Sequence, residues 1–311
     1  MGEDDSGEQR RGWWRWRPVL VYGFIIAVVL GLGYSFGADM MVTRYIKEVP
    51  RNPETGVMLG FEPIERGDKN STKAVLMVHG FIGAPDCFNE LPDAVAEAGW
   101  YVHSMLVPGH GTTPRDFETT SAQDMIDGVQ VELAALQAEY ETVVIVGHSM
   151  GGALSALATA ELQPQGLVLV APLFGLKAPV PMAVVRTCAR VVAPALRWIP
   201  GRPGGAPVAL KENRSKILHY SWIPLQGAIS TLAVEELANK PEVLDMIQCP
   251  VLLMHSTGDF VTSAKKSQKA VEAMASEDKT VVIFNKSNHV INWDYDADAA
   301  KEAVVEFLGK L

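Results

Sequence analysis

Short apolar runs alternate with segments whose apolar positions recur at helical spacing, and this alternation predicts an α/β protein. Lys73–Val78, 100–107, 143–146, 167–170, Val251–Ser256 and 280–284 are strand-like runs in which apolar residues follow one another. Continuous runs of this kind suit strands buried on both faces, as in a parallel sheet covered by helices. Between them, 91–98, 121–140, 153–161, a segment ending near 275 and a last one from 296 read as helices. Ser121 and Asp124 fit a helix cap with an acidic first turn. The alternation stops once. Residues 172–242 are rich in proline, apolar groups and scattered cations, contain no clear strand, and read as an inserted helical lid.

The N-terminus follows another pattern. Residues 19–37 carry no charge over 19 positions, about 28 Å as a helix, which matches the hydrocarbon core of a bilayer. Arg10, Arg11, Trp13, Trp14, Arg15, Trp16 and Arg17 precede it, aromatic and cationic groups suited to a membrane interface. A cleaved signal peptide is the competing reading, with Ser35-Phe36-Gly37 as its cleavage site. The uncleaved anchor is the better fit, because the apolar stretch is long for a signal. The chain then divides into a polar and aromatic segment 1–17, a transmembrane helix 18–37, a tether 38–56 and a catalytic-type domain 57–311. Four arginines precede the span and Arg44, Lys47 and Arg51 follow it closely, a slight bias that puts the N-terminus in the cytoplasm and the domain outside.

A net charge of −9 over 311 residues, with no basic stripe, excludes nucleic acid as a partner. Cys87, Cys188 and Cys249 are too few and scattered for a disulfide framework. Neither His-Glu-x-x-His nor a phosphate-binding Gly-x-x-x-x-Gly-Lys occurs, so no metal or cofactor is expected.

One motif carries chemistry. The strand at 143–146 runs into Gly147-His148-Ser149-Met150-Gly151 and then an Ala-rich helix. That strand–turn–helix context puts Ser149 on a sharp turn with its hydroxyl presented as a nucleophile. A serine hydroxyl needs a base, and the base needs a carboxylate that fixes its tautomer. In an open parallel sheet both belong on loops at the carboxyl ends of strands. Asp245 and Asp278 lie ahead of strands, whereas Asp259 follows the strand Val251–Ser256. His219 falls in the lid and His255 inside a strand, whereas His289 follows the strand 280–284. Ser149, Asp259 and His289 stand in the chain order of α/β-hydrolases. The N–H groups of Phe81 and Met150 are the oxyanion donors expected for such a site. His79 and His110 read as loop braces, and His148 as pointing away from the site.

Taken together, His79-Gly80-Phe81, Pro108-Gly109-His110-Gly111, Gly147–Gly152, Cys249-Pro250-Val251 with Asp259, and Asn288-His289 resemble one branch of the α/β-hydrolases. This is the bacterial carboxylesterase and monoacylglycerol lipase branch, grouped with serine aminopeptidase-like proteins, and the resemblance spans about 73–311. It implies Ser149 as nucleophile, Asp259 as acid, His289 as base, Phe81 and Met150 amides for the oxyanion, and a lid after 170. The expected activity is hydrolysis of a small-molecule or lipid ester through an acyl-enzyme. A serine aminopeptidase is the alternative, with Glu212, Glu235 and Glu236 as candidates to hold a free amine. A non-catalytic membrane-tethered binding module is the alternative of another class.

Two further patterns concern the membrane. Arg186, Arg190 and Arg197 fall along one helical side of 182–199, with valines elsewhere and Pro194 placed to break or kink it. This is either a lid helix packed on the core or an interfacial helix resting on anionic lipid. Gly23, Ala27, Gly31 and Ser35 form a ridge of small side chains, and Gly33 and Gly37 a second pair, consistent with a homodimer through the span.

Overall fold

A computed structural model describes residues 6–178, 181–193, 195–201 and 205–311, with side chains from Arg17 onward. Pro194, expected to break or kink a helix over 182–199, and the side chains of the interfacial segment ahead of Arg17 lie outside the described residues; the helix there ends at Val192.

The chain opens with a helix α1 (Ser6–Glu48) and a short strand β1 (Ile64–Arg66). The α/β body follows as β2 (Lys73–Val78), α2 (Leu91–Glu97), β3 (Tyr101–Met105), α3 (Pro114–Thr119), α4 (Ala122–Glu139), β4 (Thr142–His148), α5 (Met150–Leu162) and β5 (Gly166–Val170). An interruption carries α6 (Met182–Val192), β6 (Trp198–Pro200), β7 (Trp222–Pro224), α7 (Leu225–Ala238) and α8 (Pro241–Leu244). The body resumes with β8 (Val251–Ser256), α9 (Ala264–Glu272), β9 (Lys279–Phe284) and α10 (Ala297–Leu308). Seven strands form one sheet in the order β1-β3-β2-β4-β5-β8-β9, parallel except for the antiparallel edge strand β1.

The apolar runs occupy the middle of that sheet. Every residue of β5 and β8 is buried, and in β2 and β4 only the first is not. One core lies on the face covered by α4, α5 and α7, and a second on the face covered by α2 and α10. The cap of α4 is reciprocal: Ser121 Oγ accepts from the Asp124 N–H at 3.1 Å, and the Ser121 N–H donates to Asp124 Oδ2 at 2.8 Å.

Two readings of the sequence change here. The helix expected to end at 37 runs on to Glu48, so 38–48 are not an irregular tether. Ala38 and Val42 of this extension are buried against Trp198, with Ile46 and Trp222 beside them, and that packing holds the helix in register. Likewise 172–242 is not free of strands. Two copies of Trp-Ile-Pro, β6 and β7, pair antiparallel. Three residues ending in proline are too short to show a period of two. In the same stretch, α7 buries Val234 and Ala238 in the main core.

Gly151 shows how tightly α5 sits on the sheet. A Cβ there would lie 2.0 Å from the Val78 carbonyl oxygen and 2.5 Å from that of His79. Both are backbone atoms, at the end of central strand β2 and just past it, and cannot swing aside. Gly151→Ala should therefore cost about 3 kcal/mol or more, read as a fall in melting temperature of roughly 6 °C or more by circular dichroism. An unchanged melting temperature would contradict this packing.

Candidate active site

Ser149 joins β4 to α5 at φ 54° and ψ −117°, a region a serine adopts only under constraint. The constraint is visible: the Ser149 N–H donates to the Val170 carbonyl at 3.0 Å, and its carbonyl accepts from the Leu173 N–H at 2.8 Å. The loop after β2 passes directly over this turn. It can do so because residue 80 is glycine, since a Cβ would stand 3.1 Å from Ser149 Cβ and 3.0 Å from His148 Nδ1.

The loop after β8 brings Asp259 and the loop after β9 brings His289, each at the carboxyl end of its strand. His289 Nε2 lies 2.9 Å from Ser149 Oγ, and His289 Nδ1 lies 2.7 Å from Asp259 Oδ2. Thus Ser149, Asp259 and His289, separated by up to 140 positions, form one continuous chain of hydrogen bonds. All three are buried. Asp259 Oδ1 accepts from the Val261 and Thr262 N–H groups at 2.7 and 3.0 Å, and Oδ2 also accepts from Thr262 Oγ at 2.7 Å. Burial alone would raise its pKa, but His289 and these donors together hold the carboxyl well below the usual carboxylate range. Asp259 is thus ionised throughout the physiological range, and the Nδ1 proton of His289 is fixed toward it.

Phe81 lines the cavity with Ser149, and Met150 follows Ser149 directly in the chain. Met150 opens α5, where first-turn N–H groups have no helical acceptor. Neither amide donates within the described chain, so both are available to an external oxygen. His79 and His110 brace the surrounding loops. His79 Nε2 accepts from the Val107 N–H at 3.0 Å, and His110 Nε2 from the Ile82 N–H at 3.2 Å. Burial keeps both rings neutral, pushing His110 down to about 4 and His79 well below its usual value.

His148 departs from expectation. Its ring does not point away but lies 5.0 Å from that of His289, and its Nε2–H donates to the His289 carbonyl at 3.2 Å. The ring of this last β4 residue lies on the side that the loop after β9 crosses. Burial and the neighbouring His289 push it down to about 3.

Several residues that hold the site were not singled out by motif. Asp294 accepts from the N–H groups of Asn288, Ala209 and Leu210 at 2.7, 2.6 and 3.0 Å. Asp296 accepts from the Ser287 N–H and Oγ at 2.8 and 2.7 Å. These two carboxylates, in Trp293-Asp294-Tyr295-Asp296 just before α10, fix the loop that carries His289. The only signal they leave in the sequence is two aspartates ahead of a helix.

A cavity of about 320 Å³ opens on Ser149 and His289. Its walls are mostly apolar, including Phe81, Leu176, Ile217, Leu218, Ile223 and Val261, and no carboxylate lines it among the described residues. Behind it, Asp86 accepts from the Leu218 N–H at 2.8 Å while its second oxygen is buried without a partner. Burial raises the Asp86 carboxyl to about 7. Charging a group whose folded pKa is raised costs stability, so this contribution is full below about 4 and is lost as pH rises through 7. Asp86→Asn should flatten the fall in melting temperature between pH 5 and 8, and an unaltered slope would refute that assignment.

Comparison with known proteins agrees with this fold. The family model described as serine aminopeptidase, S33, matches residues 69–296. A thermostable monoacylglycerol lipase of Bacillus sp. (strain H-257) is 29% identical over 263 residues, covering 82% of this chain and 96% of that enzyme. A carboxylesterase of Bacillus subtilis (strain 168) is 25% identical over 245 residues, covering 78% and 95%. Among solved structures, one described under LipS and LipT, two metagenome-derived lipolytic enzymes, superposes with a TM-score of 0.74 at 24% identity, covering 82% of this chain and all of that one. The Paleococcus ferrophilus monoacylglycerol lipase gives 0.68 at 22% identity, covering 79% and 97%. The chain therefore belongs to the serine aminopeptidase, S33, family of α/β-hydrolases.

Proposed function

We propose that the chain is a membrane-anchored serine hydrolase that cleaves carboxylic esters with an apolar acyl chain through an acyl-enzyme. The observation that carries this reading is the Ser149–His289–Asp259 chain, at 2.9 and 2.7 Å, opening on an apolar cavity. In this reading His289 takes the Ser149 proton as Oγ attacks the ester carbonyl. The negative charge on the carbonyl oxygen is held by the Phe81 and Met150 amides. His289 then protonates the departing alcohol, activates a water against the acyl-enzyme, and returns the proton to Ser149. None of these steps calls on a metal or cofactor.

An aminopeptidase needs a carboxylate to hold the substrate amine. Glu235 and Glu236 are paired with Arg186 at 2.7 and 3.3 Å, and neither they nor Glu212 line the cavity. This favours an ester over a peptide. The segment 172–242 supplies much of the cavity wall, which supports its reading as a lid.

For the membrane, α1 contains a helix from Arg17 to Glu48 long and apolar enough to cross a bilayer. The arginines ahead of it support a cytoplasmic N-terminus with the hydrolase domain outside.

The test is labelling and profiling. A fluorophosphonate should modify wild-type protein at Ser149, and absence of labelling would turn the reading toward a non-catalytic module. On p-nitrophenyl esters, each added CH₂ that enters the cavity should raise kcat/KM about fourfold, from about 0.8 kcal/mol per buried methylene. A flat profile from acetate to octanoate would reject an acyl-binding role for the cavity.

A further inference from the structure

In α6, the side expected to meet lipid is turned the other way. Arg186 pairs with Glu235 and Glu236, and Arg197, just beyond the helix, pairs with Glu118 at 2.5 Å and Asp39 at 3.0 Å. Two of the three arginines are therefore committed to the protein itself. The opposite side of α6 is apolar and uncovered. Val184, Val191 and Val192 are 46%, 73% and 43% exposed, and Cys188 is exposed between them. Residues 184, 188 and 191 share one helical face.

The turn after α6 rests on the apolar span: a Cβ on Gly31 would stand 3.2 Å from Ala195 Cβ. Ser35 Oγ donates to the Ala195 carbonyl at 2.7 Å and accepts from the Arg197 N–H at 3.2 Å. This also changes the reading of the small-residue ridge, because Gly31 and Ser35 are covered by the chain's own Ala195. Four residues past Ser35, Asp39 binds Arg115, Arg197 and the Trp198 indole at 3.0, 3.0 and 3.1 Å. Charges therefore gather where the apolar span ends. Gly31 lies eight residues before Asp39, about 12 Å down the helix axis. If α1 crosses a bilayer with Asp39 at its surface, Ala195 is carried below the headgroups. Interfacial helices bury their apolar side to a depth of about 5–10 Å.

We infer that α6 is a second membrane contact, seated by its apolar face of Val184, Cys188 and Val191 in the outer layer of the bilayer that α1 spans. The proposal rests on the reading of α1 as an anchor. The occupant of the face is acyl lipid, argued from the attachment of the turn after α6, through Ala195, to a span whose Phe24, Leu30 and Phe36 are exposed. The consequence is positional. Trp198 and Trp222 pack on α1, and Ile223 of the same hairpin lines the cavity, so the span and α6 together hold the cavity wall at the lipid surface.

The test uses full-length protein in phosphatidylcholine vesicles, with a nitrobenzoxadiazole label on Cys188 in a Cys87→Ala, Cys249→Ser background. Ile26→Cys, with Cys188→Ser, reports on the span. Lys310→Cys, near the amino-terminal ends of the strands and away from the cavity, reports on water. Lipids carrying a shallow nitroxide should quench the label at 188 at least twofold, a deep nitroxide should quench it at 26, and neither should quench it at 310. In addition, Val184→Asp with Val191→Asp should lower hydrolysis of a vesicle-borne ester at least tenfold while leaving a soluble ester within twofold. Quenching at 26 without quenching at 188 would overturn the docking and leave the anchor standing. Quenching at neither site would remove both. Self-quenching at 188 that vanishes on dilution into excess lipid would assign the face to a second copy of the chain and overturn the proposal.

Discussion

Ser149→Ala should abolish hydrolysis of both short and long esters, with a loss of about 10⁶ in kcat, while the protein folds and melts within a few degrees of the original. The two halves of that result have separate causes. Among the described residues Ser149 Oγ has one partner, His289 Nε2 at 2.9 Å, so removing it leaves a small gap and breaks that hydrogen bond alone. The turn itself is held through the Ser149 N–H and carbonyl, which alanine keeps. Catalysis, by contrast, loses the atom that in the proposed mechanism forms the acyl bond. Residues that act as one unit fail together, so a loss of this order is the usual outcome of removing a triad serine. The measurement is burst and steady-state release of p-nitrophenol, with circular dichroism on the same sample. Residual activity above about one part in a thousand would mean that another residue attacks the ester.

What could be read in advance followed burial. Strands β2, β4, β5 and β8 lie in the sheet's interior, so their apolar runs and the turns after them stood out, and with them Ser149 and Asp259. His289 was reached the same way even though β9 is an edge strand with Val281 and Ile283 partly exposed. The features that escaped depend on contacts between distant segments. The tail of α1 is helical through packing on Trp198, some 160 positions away, and no local signal separates it from a tether. The same holds for Asp294, whose partners Ala209 and Leu210 lie 85 and 84 positions off. The place of His148 depends in the same way on a distant segment, because the loop after β9 folds back over the turn at Ser149 and brings His289 against its ring. Of the arginines of 182–199, Arg186 and Arg190 lie on α6 and Arg197 lies past its end, and helical spacing cannot say whether such groups meet glutamates or lipid. Here Arg197 meets Glu118, and Arg186 meets Glu235 and Glu236.

Asp259→Asn should cost roughly 10⁴ in kcat with KM little changed, and the reason lies in which proton His289 carries. In the native site the Asp259 carboxylate takes four hydrogen bonds, one of them from His289 Nδ1 at 2.7 Å. With Nδ1 protonated, Nε2 presents a lone pair to Ser149 Oγ and can accept its proton. An asparagine would keep its carbonyl oxygen on the Val261 and Thr262 N–H groups, because those donors do not move. Its NH₂ would then face His289 Nδ1, and two donors cannot meet, so the imidazole shifts its proton to Nε2. Ser149 then faces an N–H instead of a base. Asp245→Asn, at an aspartate ahead of β8, is the control and should keep full activity. The substitution should also remove an acid-side term from stability. Because the Asp259 pKa is depressed on folding, its stabilisation is present above the unfolded carboxylate value near 3.9 and is lost as pH falls below it. The asparagine variant should therefore show a shallower loss of melting temperature between pH 5 and 3. An Asp259→Asn enzyme with near-native turnover would move the orienting carboxylate elsewhere, and with it the role assigned to His289 Nδ1.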